Sequence, residues 1–126
     1  AYSLRLGTKK IFIAGDGGFG SHFEEIGLKY GPFDFGTIEN GQYNTSWPAN
    51  HMFPEQSALA ASQLGLKHTV PIHWGRFAIS THKWNDPIQR FTNAGDDLKL
   101  EYSVPLIGQR LMIEEPLKDT RWWDFK

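Results

Sequence analysis

The residues KKIFIAGDGGFG, at positions 9–20, join a short apolar run to a glycine-rich turn. An apolar run such as residues 11–14, closed by glycine, is typical of a buried strand that ends in a tight turn. Ser21 and Glu24 follow with the spacing of a capping box, and apolar residues at helical intervals predict a short helix over residues 23–30. We therefore expect a strand, a turn and a helix in succession.

The remaining apolar segments continue this alternation of strands and helices. The predicted segments are a strand at residues 33–39, a helix at 54–64, a strand at 68–72, a short helix at 87–92, and strands at 98–104 and 111–113. Strands that alternate with helices favour parallel pairing through helical crossovers. The sequence therefore predicts an α/β fold, with helices packed on a sheet.

Composition narrows the possible functions. The chain has 126 residues, 40% of them hydrophobic, which predicts a single folded domain. Its 13 basic and 14 acidic residues give a net charge of −1, so we expect neither a nucleic-acid partner nor a polybasic membrane anchor. No apolar run is long enough for a transmembrane segment. Because there is no cysteine, any metal ion must be held by histidine and carboxylate side chains. Cytosolic and secreted proteins can both lack cysteine, so its absence does not decide the compartment, and a cytoplasmic location is our expectation.

The glycine-rich turn permits two interpretations besides a purely structural one. Residues 15–20 fit the pattern G-x-G-x-x-G between a strand and a helix, and Glu39 ends the next strand, as a dinucleotide-binding fold requires. However, Asp16 would place a carboxylate beside the phosphates, and the helix is short for that fold. In the second interpretation, the small residues let the chain turn sharply so that Asp16 projects from the end of the strand.

A metal site is the second interpretation. Asp16 and His73 each follow a predicted strand, and His51 ends the long loop before the second helix. The carboxyl ends of parallel strands meet at one edge of a sheet, which is where open α/β sheets place their sites. Imidazole nitrogen and carboxylate oxygen suit zinc or iron without thiolates. A histidine beside tryptophan is equally typical of a hydrogen-bonded core residue.

Four motifs between residues 11 and 91 carry a family resemblance. GDGGFG, GPFDF, HMFPEQSA and VPIHWGRF resemble, in this order, the second half of metallo-β-lactamase-fold hydrolases. Within that superfamily, they are most similar to N-acylphosphatidylethanolamine-hydrolysing phospholipase D and its bacterial relatives. The resemblance implies half of an αββα sandwich, in which a mixed sheet carries helices on one face. Residues 1–126 would form the C-terminal half of one hydrolase domain.

The resemblance also implies roles for three side chains. Asp16 matches the aspartate that bridges two divalent metal ions, expected to be zinc, and His73 matches the last metal-binding histidine. His51 matches a histidine that contacts the substrate or the transition state, so Asp16 and His51 are the expected catalytic residues. The implied reaction is attack by a metal-bridging hydroxide on a phosphodiester of a small-molecule or phospholipid-like substrate.

Aromatic residues are concentrated near these positions and at the end of the chain. Tyr43 and Trp47 on the long loop, and Trp74 beside His73, are expected to border a substrate cleft, although core packing explains them nearly as well. The aromatic tail at residues 122–125 is expected to dock onto the core of this chain or an adjoining segment.

The hallmark His-x-His-x-Asp-His cluster of the family does not occur in these 126 residues. One aspartate and one histidine are too few protein ligands for tight binding of two metal ions. The chain starts at Ala1 and contains no methionine before Met52. We therefore expect a missing N-terminal half or a second copy as partner, and an inactive chain on its own. The alternative is a non-catalytic interaction domain that pairs through its exposed sheet face.

Overall fold

A computed structural model describes residues 1–77, 79–117 and 121–124; Phe125 of the aromatic tail lies outside the described residues. The elements are β1 (Tyr2–Leu6), β2 (Lys9–Ile13), α1 (His22–Tyr30), β3 (Phe35–Glu39), α2 (Pro54–Leu64), β4 (Thr69–Ile72) and α3 (Asp86–Asp97). The predicted α/β class, with a mixed sheet and helices on one face, is confirmed. None of the helices in the described part of the chain reaches the length and apolar character that crossing a bilayer requires.

The sheet has the strand order β1-β2-β3-β4. β2, β3 and β4 are parallel, as the helical crossovers predict, and β1 is antiparallel to β2. The carboxyl ends of the three parallel strands therefore lie at the same edge. Sequence analysis did not predict β1.

The core lies between the sheet and the helices. Phe12 of β2 and Ile38 of β3 point into it, and α2 contributes a row of fully buried alanines. Small side chains let α2 approach the sheet closely, so that it contacts both α1 and α3. Burial of this face holds the helical layer on the sheet and orients the strand ends.

Among the described residues, no helix packs on the opposite face of the sheet. Leu4 is paired with Ile11, and Tyr2 with Ile13, so these four apolar side chains share this face. Tyr2 and Leu6 are mostly exposed. The described residues thus leave an apolar sheet face open at β1 and β2.

The start of α1 differs from the predicted capping box. Ser21 has helical dihedral angles, φ −60° and ψ −20°, and its side chain makes no cap hydrogen bond. Its hydroxyl instead donates to the Glu25 carboxylate, one turn further along, at 2.9 Å. The prediction was wrong because a residue inside the helical region cannot turn its hydroxyl back onto the first free N–H groups.

The segments after β4 differ from their predicted boundaries. α3 continues to Asp97 rather than Thr92, because the buried positions Ile88, Phe91 and Gly95 keep a helical spacing through that stretch. The strand predicted at residues 98–104 is a single bridge. Two backbone hydrogen bonds at Thr69 hold it, one from Thr69 N–H to the Glu101 carbonyl and one from Ser103 N–H to the Thr69 carbonyl.

Residues 111–113 also form no strand. They contribute only a bridge between Met112 and Glu115. A bridge between residues three apart closes a tight turn, which leaves no second strand for residues 111–113 to extend along the sheet. The predicted edge strand was therefore wrong.

The described part of the aromatic tail packs on the chain itself, as expected. Trp123 is fully buried, and its ring meets the Trp74 ring edge-on. The Trp122 indole N–H donates to the Val104 carbonyl at 2.9 Å. The tail thus completes the core beside the end of β4.

Candidate functional site

Asp16 and His73 meet at the carboxyl edge of the sheet. The chain leaves β2 through Gly15, whose φ of +68° gives the sharp turn that presents Asp16. His73 directly follows β4 with φ +70°, an uncommon conformation for a residue other than glycine and one that clusters at functional sites. Nδ1 of His73 lies 3.1 Å from Oδ1 of Asp16. The structure therefore brings the two predicted metal ligands together.

The glycines of the turn allow a second segment to approach it. A Cβ at Gly18 would lie 2.5 Å from the Pro48 carbonyl oxygen, and the Gly18 N–H donates to the Ala49 carbonyl at 2.9 Å. Gly17 forms a parallel bridge with His51. These contacts place His51 beside the turn that carries Asp16, and the close approach of residues 48–49 explains the glycine at position 18.

His51 is held by a carboxylate that is completely buried. Glu39 is the last residue of β3, and its Oε1 lies 3.0 Å from Nδ1 of His51. Oε1 also accepts the Gly41 N–H at 3.0 Å, and Oε2 accepts the Met52 N–H at 2.8 Å. Burial raises the pKa of Glu39, and these hydrogen bonds act in the opposite direction.

Sequence reasoning treated Glu39 only as a possible ribose ligand. The signal that could have pointed to its contact with His51 is an acidic residue at the end of an apolar strand, the same pattern that singled out Asp16. The partner itself lies on a different element, so the pairing of Glu39 with His51 could be seen only in the fold.

A cavity of about 550 Å³ opens at this edge of the sheet. Asp16, His51 and His73 all line it. The remaining wall includes Arg76, Trp74 and Phe77. The cavity thus joins carboxylate and imidazole groups to a cation and an apolar surface.

The three aromatic residues predicted for the cleft occupy different places. Trp74 lines the cavity, whereas the Trp47 indole N–H donates to the Gln42 carbonyl at 2.7 Å outside the cavity wall. Tyr43 is buried against α3, where its hydroxyl donates to Asp86 and accepts a hydrogen bond from Arg90. Burial and the bond to Asp86 raise the pKa of Tyr43 to about 12.

Gln42 organises the rim of the cavity, a role that sequence reasoning missed. Its Oε1 accepts the N–H groups of Ile79 and Ser80 at 3.0 and 3.1 Å, and its Nε2 donates to the Phe77 carbonyl at 2.7 Å. The side chain is buried, so water does not compete for these bonds. The sequence around a polar loop residue does not predict such contacts, because the partners lie more than 30 residues away.

The donor set for a metal ion is small. Among residues 1–77, 79–117 and 121–124, no three histidine or carboxylate side chains are grouped so that they could hold an ion. Asp16 and His73 form a pair of donors at the cavity, and His51 is turned through Nδ1 towards Glu39.

Comparisons with known proteins agree with this architecture. A family profile described as "Beta-lactamase superfamily domain" matches residues 1–74, the span that contains Asp16, His51 and His73. An uncharacterized protein of Mycobacterium tuberculosis is 36% identical over 117 residues, which are 90% of this chain and 32% of that protein. The chain therefore spans about a third of the length of this relative.

Two solved structures share the fold. One is the metallo-beta-lactamase fold protein YhfI from Bacillus subtilis, with a TM-score of 0.60 and 13% identity over 82% of this chain and 39% of that chain. The other is Igni18, described as a novel metallo hydrolase from the archaeon Ignicoccus hospitalis, with a TM-score of 0.59 and 23% identity over 80% of this chain and 40% of that chain. Together with the profile match, the sheet and its crossovers show that the chain belongs to the beta-lactamase superfamily domain family and has the metallo-β-lactamase fold.

Proposed function

We propose that this chain supplies part of the active site of a metal-dependent hydrolase that cleaves phosphodiester bonds. The observation that carries the proposal is the 3.1 Å approach of Asp16 and His73 beside His51 in one cavity. The phosphodiester specificity follows the resemblance of the motifs to the phospholipase D branch. Igni18, a protein of the same fold that is described as a metallo hydrolase, adds support.

Asp16 and His73 have the chemistry that a divalent cation requires. The Asp16 carboxylate has two hard oxygens and can contact two cations, and the His73 imidazole offers a nitrogen 3.1 Å away. We propose two divalent ions, with zinc as the metal. When bound, such ions stabilise developing negative charge and lower the pKa of water to near neutral. Two protein ligands are fewer than the three or four that zinc needs, so in this proposal the others come from outside the described residues.

The remaining cavity residues suit an anionic substrate with an apolar part. The Arg76 guanidinium can pair with a phosphodiester, and Trp74 and Phe77 provide apolar surface beside it. His51 lines the same cavity and contacts the reacting phosphate group in this proposal. These residues bind and orient the substrate next to Asp16 and His73.

The open sheet face supports the proposal that residues 1–126 are the C-terminal half of a larger domain. Apolar residues of β1 and β2, among them Tyr2 and Leu6, lie on a face that no described element covers. An exposed apolar face of this kind is typical of an interface. We propose that the sheet of the first half packs there; a non-catalytic domain that pairs with a second copy is the alternative that the same face supports.

Substitution of Leu6 separates these two possibilities. If the first half of the domain covers Leu6 in the full-length protein, Leu6→Glu should lower the free energy of unfolding by about 2 kcal/mol or more, because a charge becomes buried. The matched control is Leu28→Glu, since Leu28 is 84% exposed on α1. Pairing with a second copy predicts instead that Leu6→Glu turns a dimer into a monomer in sedimentation. A Leu6→Glu protein as stable as the control, with unchanged mass in solution, would contradict both.

The catalytic proposal is tested by metal content and hydrolysis in the full-length protein that contains this sequence. Asp16→Asn and His73→Ala should each lose bound zinc and the hydrolysis of bis(p-nitrophenyl) phosphate and N-acylphosphatidylethanolamine. His51→Ala should keep the metal but lose turnover. Asp97→Asn, at an exposed position of α3, is the matched control and should retain both. Normal metal content and hydrolysis in the Asp16 and His73 variants would refute their assignment as metal ligands. Nucleotide binding that a chelator does not affect would favour the dinucleotide interpretation of the glycine-rich turn.

A further inference from the structure

Glu39 pairs with His51, which is part of the cavity wall. Glu39 is completely buried, whereas a quarter of the His51 side chain remains exposed at the cavity wall. We infer that Glu39 is a positioning residue that holds a proton of His51 on Nδ1 and directs Nε2 towards the cavity. This inference rests on the proposed function, because it assigns the state in which His51 meets the substrate.

The hydrogen bonds around Glu39 indicate whether the proton between Glu39 and His51 is on the carboxylate or on the imidazole. Both carboxylate oxygens already accept backbone N–H groups, Oε1 from Gly41 and Oε2 from Met52, and an amide N–H can only donate. A hydrogen on either oxygen of Glu39 would compete with these donors. The arrangement therefore favours an ionised carboxylate that accepts a third donor, the Nδ1–H of His51, at 3.0 Å.

The position of His51 has little freedom. Glu39 contacts both the ring and the following backbone N–H at Met52, and the bridge to Gly17 holds the backbone of His51 from the other side. In the described part of the chain, the ring makes its hydrogen bond through Nδ1 alone. Nε2, on the opposite side of the ring, is left for groups that enter the cavity.

This tautomer defines the chemistry available to His51. In the neutral ring with its proton on Nδ1, Nε2 has a lone pair and can accept a hydrogen bond or a proton from a substrate or water, while Nδ1 keeps its own proton. If Nε2 takes a proton, the ring becomes an imidazolium, and the Glu39 carboxylate stabilises its charge. A carboxylate behind a histidine commonly sets tautomer and basicity in this way.

Nuclear magnetic resonance of the imidazole nitrogens in the full-length protein tests the inference directly. The expected spectrum of the wild-type protein shows His51 protonated at Nδ1. A His51 protonated at Nε2 with a bare Nδ1 would overturn the inference whether or not any variant folds. This measurement is independent of hydrolysis, so it stands even if the proposed reaction is wrong.

Replacement of Glu39 provides the functional test. A carboxamide has one oxygen and cannot accept all three donors, so Glu39→Gln should abolish the preference for the Nδ1 proton. We expect kcat for bis(p-nitrophenyl) phosphate to fall about 10- to 100-fold, with KM and zinc content nearly unchanged. Unchanged His51 nitrogen signals together with unchanged kcat would refute the role of Glu39.

Asp34→Asn is the matched control, because Asp34 is another carboxylate that accepts a backbone N–H, from Lys10, but it lies away from the cavity. This variant should lower stability without altering kcat or the His51 signals. If His51→Ala keeps full kcat, the proposed role of His51 fails while the spectrum still decides the tautomer.

Discussion

A Cβ atom at Gly41 would lie 1.9 Å from the carbonyl oxygen of His73. Gly41 follows β3 and His73 follows β4, so the backbones of the two strand ends touch where the site is built. Any side chain at position 41 would push the His73 backbone away. The absence of a side chain at position 41 therefore keeps His73 near Asp16. Glycine is required here because the two backbones are in contact, and not because the chain needs its conformational freedom.

Gly41→Ala should displace His73 and weaken the site. Overpacking against backbone atoms costs about 1–3 kcal/mol or more in the free energy of unfolding, and the proposed zinc binding of the full-length protein should weaken with it. Gly7→Ala is the control: Gly7 has positive φ, +61°, but nothing lies within 4 Å of its Cβ position. It should lose stability through backbone strain alone and leave the proposed zinc binding unchanged. Equal zinc affinity in the two variants, measured by titration, would contradict this prediction.

Gln42→Ala should loosen the cavity rim. The N–H groups of Ile79 and Ser80 lose their acceptor, so their hydrogen exchange should accelerate about 3- to 10-fold. Gln89→Ala, on the exposed side of α3, should leave these two rates unchanged. Exchange mass spectrometry or nuclear magnetic resonance can measure both. Identical rates in wild type and Gln42→Ala would show that the rim is held by other contacts.

Asp34 should contribute a stabilisation that disappears in acid. Hydrogen bonds from the Lys10 N–H and the Lys67 ammonium, with the nearby charge of Lys9, lower the pKa of Asp34 below its ordinary value of 3.8. A folded pKa below the unfolded one means that the stabilisation is complete above about pH 4 and is lost as the pH falls through the folded pKa.

Asp34→Asn should therefore cost about 1–2 kcal/mol near neutral pH, and the difference from wild type should shrink below about pH 4. Urea unfolding at several pH values measures this difference. A gap that stays constant, or widens, as the pH falls would contradict the assigned sign. Because the raised pKa of Glu39 acts equally in both proteins, it cancels in the comparison.

Trp123→Ala should be among the most destabilising substitutions in the tail. Its ring is fully buried against Trp74, and removal of such a ring costs about 3–5 kcal/mol. Trp122→Ala should cost less, because that ring is only partly buried, even though the substitution also removes its hydrogen bond to the Val104 carbonyl. Denaturant unfolding followed by circular dichroism compares the two. A smaller loss for Trp123→Ala than for Trp122→Ala would show that the tail does not pack as described.

The elements that the sequence predicts correctly are those whose apolar runs are followed by residues that end a strand or a helix, such as glycine and proline. β2, α1, β3, α2 and β4 follow this rule, and their order confirms the parallel crossovers. β1 was missed although the residues YSLRL alternate apolar and polar side chains, because a short edge strand that buries little gives a weak pattern. α3 was cut short because polar residues hid the spacing of its buried positions.

For the site, the sequence by itself determined that Asp16 and His73 follow strands and share an edge, because parallel strands end at one edge of a sheet. Only the tertiary structure decided that Glu39 holds His51, that Gln42 binds the cavity rim, and that Tyr43 packs on α3 instead of the cavity. These contacts join residues from separate elements through single hydrogen bonds. Whether such a bond forms depends on shifts of a few tenths of an ångström in the packed structure, so the spacing of residues along the sequence does not predict it.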